Sequence, residues 1–135
     1  TPIKNFKFFN LLDREYFVLD NGGGGIYNAL MVCKPGNEIL LKAINKIVEN
    51  VKHRYYGSNY LEPTGPNLLI KYFSEQEKNS LILKHKLVGP VDSDKLITYN
   101  NIPILGCYRG YLKERDLYSK KQHYAELWKN RTIYK

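Results

Sequence analysis

Apolar positions along the chain fall into short extended runs, one long helical stripe and several pieces cut off by turns. Phe6 to Phe9 and Tyr16 to Leu19 read as two short extended pieces around the polar turn Asp13-Arg14-Glu15. Asn21 and the glycines Gly22 to Gly25 then break regularity, and Ile26 to Cys33 is a mostly apolar run that suits a buried strand. After Pro35-Gly36, Asn37 is a good N-cap and Glu38 suits the positive end of a helix. Ile39, Leu40, Ala43, Ile44, Ile47, Val48 and Val51 follow at helical spacing as one apolar stripe, and Lys52, His53 and Arg54 complement the helix C-terminus. This is the clearest element of the chain.

Tyr55 to Tyr60 reads as a polar, aromatic loop. Thr64-Gly65-Pro66 then predicts a second, shorter helix through Leu68, Leu69, Tyr72 and Phe73, with Thr64 as cap and Pro66 in the first turn. Leu81 to Leu83 leads into a lysine-rich strand. Leu96 to Tyr99 and Ile102 to Leu105 flank Asn100-Asn101, a type I′ hairpin signal, with Pro103 assigning the second strand to an edge. Tyr118 to Trp128 forms a helical or looped tail. The order is mixed α/β, too irregular for repeated βαβ units.

With 135 residues and 15.8 kDa, one domain with a real core is expected. The net charge of +8 attracts polyanions in general. Lys, Asn, Ile and Tyr, the residues of A/T-rich codons, supply 52 of the 135 residues, which discounts that charge as a sign of nucleic acid. Twelve tyrosines among the lysines could stack bases or sugars, but no RNA-binding aromatic motif or arginine stripe accompanies them, so there is no strong case for nucleic acid. No apolar run is long enough for a transmembrane segment.

Candidate chemistry is sparse. Cys33 and Cys107 stand too far apart for a CxxC motif and read as buried thiols, and His53, His85 and His123 lie near no cysteine in sequence. Gly22 to Gly25 fits no phosphate-loop pattern and reads as a flexible or positive-φ turn. Asp92-Ser93-Asp94 is a literal Asp-x-Asp that could bridge a divalent cation and a diphosphate, yet its setting reads as a turn. No GxSxG element marks a serine nucleophile.

Three segments stand in a suggestive order: Ile26 to Asn37, Thr64-Gly65-Pro66 opening a helix, and His123 to Trp128. Together they resemble the C-terminal half of glycosyltransferase family 32, the DXD-containing sugar-binding region family. That family includes Golgi mannosyltransferases, capsular polysaccharide enzymes and large-DNA-virus relatives. The resemblance covers roughly residues 1 to 75 and the tail from Tyr108 onward. It implies a mixed α/β, GT-A-like fold of which residues 1–135 are the C-terminal part of the catalytic domain. The implied reaction moves a hexosyl group, with retention, from a nucleotide-diphosphate sugar donor to a glycan or protein acceptor, using a divalent metal (Mn²⁺ or Mg²⁺).

Carried over by position, Asn28, Thr64, Gly65, Pro66 and Trp128 would bind substrate, and His123 would serve the metal. The family's Gly-Gly-Ile-Tyr-Leu-Asp-x-Asp motif is missing: Gly24-Gly25-Ile26-Tyr27 copies its first half and continues into Asn28. The expectation is therefore a chain that starts just after the metal motif and is inactive alone. Leu127 stands where the family often has a small hydroxyl residue, which removes one diphosphate contact. The alternatives are a non-catalytic basic module for nucleic acid or another polyanion, and an inactive transferase remnant.

Overall fold

Four consecutive apolar residues, Tyr16–Leu19, form strand β1, whose alternation serves two cores. Tyr16 and Val18 join Leu11, Leu83, Ile97 and Ile104 on one face, and Phe17 joins Ile26, Ala43, Leu68, Leu69 and Phe73 on the other. The computed structural model describes residues 11, 13–22, 24–87, 95–106, 110, 113–114, 117 and 122–134. The expected strand at Phe6 to Phe9, Asp92-Ser93-Asp94 and Cys107 lie outside the described residues.

Strands β2 (Ile26–Val32), β3 (Leu83–Leu87), β4 (Lys95–Tyr99) and β5 (Ile102–Gly106) complete a five-stranded mixed sheet in the order β2-β1-β3-β4-β5. The β1–β3 pair is parallel and the other three pairs are antiparallel. The chain is thus mixed α/β, as the pattern predicts. Asn100 and Asn101 both take positive φ, 47° and 65°, so the two-residue turn has the form their side chains favour. Pro103 lies on β5, an edge strand, where its missing N–H costs least. Gly22 has φ +85°, confirming the positive-φ turn between β1 and β2.

β2 corrects one expectation. It is the opposite edge, and only Ile26 in it is fully buried, while Asn28, Ala29 and Met31 are exposed. A run of apolar residues marks a strand but does not rank its position in the sheet.

Helix α1 (Glu38–Lys52) starts as expected, with Asn37 Oδ1 accepting from the Leu40 amide at 2.8 Å. Its buried side is narrower than the stripe, however. Ala43 is buried and Ile39, Leu40 and Ile47 pack around it, whereas Ile44, Val48 and Val51 are exposed. The buried side also includes a polar residue, Asn50.

Helix α2 (Pro66–Leu69) runs into a 3₁₀ turn at Ile70–Tyr72 and stops at an extended Phe73. Gly65, not Thr64, occupies the cap position, and no side chain caps this helix. Thr64 sits one residue too early for that role. Helix α3 (Glu75–Ser80) is additional to the predicted elements and opens on a capping box between Ser74 and Glu77. Helix α4 (Tyr124–Lys129) forms the tail. Among the described residues no helix is long and apolar enough to cross a membrane.

Candidate functional site

Three neighbours position the Thr64-Gly65-Pro66 turn. Asn50 of α1 donates from Nδ2 to the Pro63 carbonyl at 2.8 Å, a buried bond that ties the turn to the helix. Gly25, at the start of β2, lies against α2: a Cβ there would stand 2.8 Å from Pro66 Cβ and 3.1 Å from Asn67 Oδ1. Gly65 likewise has no room for a side chain, because the Leu61 carbonyl oxygen would lie 2.8 Å from its Cβ.

The loop before the turn is drawn together by Glu62. Its carboxylate accepts from the Ser58 amide and hydroxyl, both at 2.7 Å, from the Tyr55 hydroxyl at 3.0 Å, and from the Lys71 ammonium. The Lys71 contact, followed by the two Ser58 bonds, holds this carboxyl down at about 2.

The C-terminal segment is fastened to the same loop. Trp128 Nε1 donates to the Tyr56 carbonyl at 2.5 Å, and the Tyr134 hydroxyl donates to the Tyr55 carbonyl at 2.5 Å. The Arg131 guanidinium lies 4.5 Å from the Tyr56 ring centre and 5.2 Å from that of Trp128, and the Tyr56 and Tyr134 rings meet edge to face. Tyr60 and Tyr124 approach at 5.6 Å.

Between this loop, the tail and the sheet lies a cavity of about 930 Å³. Asn28, Thr64, Gly65, Pro66 and Trp128 all border it, so five residues separated by a hundred positions in sequence meet at one place. His123 does not border it. It is the N-cap of α4, its Nδ1 accepting from the Ala125 amide at 3.2 Å, and its exposed ring leans on Tyr124. Of the two, only Trp128 lies within the helix. Its cavity-facing companion is Tyr124, four residues earlier on the same helix face.

The structure limits what the Trp128 indole N–H can offer a substrate. That N–H is committed to the Tyr56 carbonyl, so what Trp128 offers the cavity is ring surface.

For the divalent metal, the fit is poor within the described residues. No three His, Cys, Asp or Glu side chains there gather where an ion could sit, and His123 has one ring nitrogen engaged in capping. The Cys33 thiol is half-buried and its ionisation is pushed up by that burial, so it is not an activated nucleophile.

The cavity also holds residues that sequence reasoning passed over. Tyr27, Tyr60, Tyr124 and Tyr134 give it aromatic walls, and Asp20, His85 and Lys95 add polar groups. Tyr124 was accessible from its i, i+4 relation to Trp128. Asp20 and His85 were not, because 65 residues separate them and neither sits in a motif.

Comparison of the chain with protein-family models, with curated proteins and with solved structures returns no match.

Proposed function

We propose that this chain forms the sugar-binding part of a hexosyltransferase catalytic domain of GT-A-like architecture. It would act on a nucleotide-diphosphate sugar donor and a glycan or protein acceptor. The observation that carries the reading is the convergence of Asn28, Thr64, Gly65, Pro66 and Trp128 on one cavity of about 930 Å³. These are the positions at which the chain resembles glycosyltransferase family 32.

The chemistry of the walls supports a polyhydroxylated ligand. Aromatic faces from Tyr60, Tyr124 and Trp128 offer apolar surface to the C–H side of a sugar ring, and Asn28 offers a paired donor and acceptor to its hydroxyls. A concave site with apolar walls and a few convergent polar groups is the usual form of a small-ligand site. On this reading Thr64 and Asn28 contact the sugar, while Gly25, Asn50 and Glu62 hold the wall in place.

Trp128 is the only tryptophan in the chain and borders the cavity, so its fluorescence reports occupancy directly. Titration with UDP- and GDP-hexoses, with and without Mg²⁺, and with the methyl glycosides of the same sugars should give saturable changes for at least one sugar. Asn28→Ala should weaken that binding while leaving the melting temperature close to that of the parent. The reading fails if every sugar and sugar nucleotide leaves the fluorescence unchanged while inorganic polyphosphate binds.

A further inference from the structure

Helix α1 carries two seams side by side. Leu40, Ala43, Ile47 and Asn50 recur at spacings of three, four and three, and this seam is used. Ala43 and Asn50 are buried, and Leu40 and Ile47 pack on the core that holds Leu68 and Leu69. Leu41, Ile44, Val48 and Val51 repeat the same spacing one residue later, about 100° around the helix. These four stay between 46% and 58% exposed, so the second seam has no cover among the described residues. A 3-4-3 apolar spacing is the contact line of a helix that packs along another helix. A contiguous apolar stripe left in water marks an interaction surface.

The polar border of the stripe says what kind of helix fits it. Glu38, Asn45 and Lys52 stand seven residues apart on the side away from the core, and all three are exposed. Glu38 opens the helix and Lys52 closes it. Neither enters a salt bridge among the described residues. A row that reads acidic, neutral, basic is complementary to itself when turned end for end. On a second copy laid antiparallel, Leu41 meets Val51, Ile44 meets Val48, and Glu38 meets Lys52 at both ends, with Asn45 at the centre. The antiparallel helix dipoles attract as well. A parallel pair would set Glu38 against Glu38 and Lys52 against Lys52.

We propose that the Leu41–Ile44–Val48–Val51 face of α1 is an interface with a second copy of this chain, paired antiparallel about a two-fold axis between Ile44 and Val48. Val51 also borders the main cavity, so the second copy sits at its rim. The inference is independent of what that cavity binds. A 15-residue helix is about 22 Å long, and one face of it falls well short of the roughly 800 Å² per partner of a standard interface. The dimer is accordingly weak and concentration-dependent.

Sedimentation equilibrium of the full chain from about 10 µM to 1 mM tests it. Salt at about 150 mM screens the repulsion between two copies that each carry +8. The mean mass should rise with concentration from 15.8 kDa toward twice that value. Over the same series the methyl resonances of Leu41, Ile44, Val48 and Val51 should shift while those of Val18 and Leu83, fully buried in the sheet core, stay. Ile44→Lys should weaken association at least tenfold, because it places a charge in the centre of the seam. Lys52→Glu, which sets two like-charged pairs against each other, should weaken it about fivefold. The double variant Glu38→Lys, Lys52→Glu should return it to within about twofold of the parent. A chain that remains monomeric up to 1 mM overturns the proposal without any variant. If that monomer instead co-sediments with vesicles of anionic phosphatidylglycerol and Ile44→Lys abolishes this, the face belongs to a lipid surface and the proposal also fails. Association that moves none of the four methyl groups, or that the charge-swapped double variant does not recover, overturns it as well.

Discussion

Glu62 shows how much of the cavity rim depends on one carboxylate. Four donors from Tyr55, Ser58 and Lys71 converge on it, and they favour its charged form strongly enough to hold it at about 2 against an ordinary value of 4.5. A carboxyl lowered in the folded state contributes stability that is complete above the ordinary value and is lost as pH falls from there toward 2. Glu62→Gln should therefore remove about 1–2 kcal/mol at neutral pH, and less near pH 2 to 3, where the parent has already lost the contribution. Thermal melts of both proteins across that range check it. Lys71 is more than half exposed, so added salt should weaken only part of the effect. Gly25 is the second such position. Gly25→Ala would press a methyl group into Pro66 and Asn67, and backbone or helix α2 must yield, at a cost of about 1–3 kcal/mol. Denaturant unfolding measures the loss. The expected companion is weaker sugar binding, because Pro66 and Gly65 are themselves cavity wall.

At the scale of elements, the aromatic loop Tyr55 to Tyr60 and the tail with α4 behave as one unit. The bonds from Trp128 to Tyr56 and from Tyr134 to Tyr55, with Arg131 between the rings, join segments 72 and 79 residues apart. Trp128→Phe keeps an aromatic face toward the cavity and deletes the N–H, leaving the Tyr56 carbonyl without that donor. A loss of about 1 kcal/mol is expected. Hydrogen exchange should locate it: amides of both the loop and α4 should exchange faster, while those of β1 and β3 stay as protected as in the parent. Faster exchange in α4 alone would show that the two segments are separate units. These long-range ties also explain what could be read from the sequence. Helix α1 was legible because its signals are local: Asn37 as cap, Glu38 in the first turn and a 3.6-residue period. The Asn100-Asn101 hairpin was legible for the same reason. Periodicity overstated the buried face of α1, since it cannot tell that Ile44, Val48 and Val51 lack a covering element among the described residues, or that Asn50 is turned inward to Pro63. The Asp20–His85 pair and the Trp128 bond to Tyr56 leave no trace in spacing, because only the completed sheet and tail bring those groups together.

On the scale of the whole molecule, the net charge of +8 and the cavity make opposite claims about the partner. The charge would draw any polyanion to the surface, whereas the cavity is walled by aromatic rings and by Asn28, Thr64, Asp20 and His85, with Lys95 the one lysine or arginine bordering it among the described residues. The two attractions respond differently to salt. Binding that neutralises several phosphates releases counterions and falls by roughly tenfold or more between about 50 and 200 mM salt. A hydrogen-bonded, ring-stacked neutral sugar releases none, and its affinity should change by less than about twofold over the same range. Titrations of a methyl glycoside and of polyphosphate at both salt levels, read through Trp128, separate these cases. The expected result is a salt-indifferent glycoside isotherm and a polyphosphate isotherm that weakens steeply without competing against the glycoside. Competition between them would mean that the cavity itself takes the anion. The charge, rather than the aromatic walls, would then define what this protein binds.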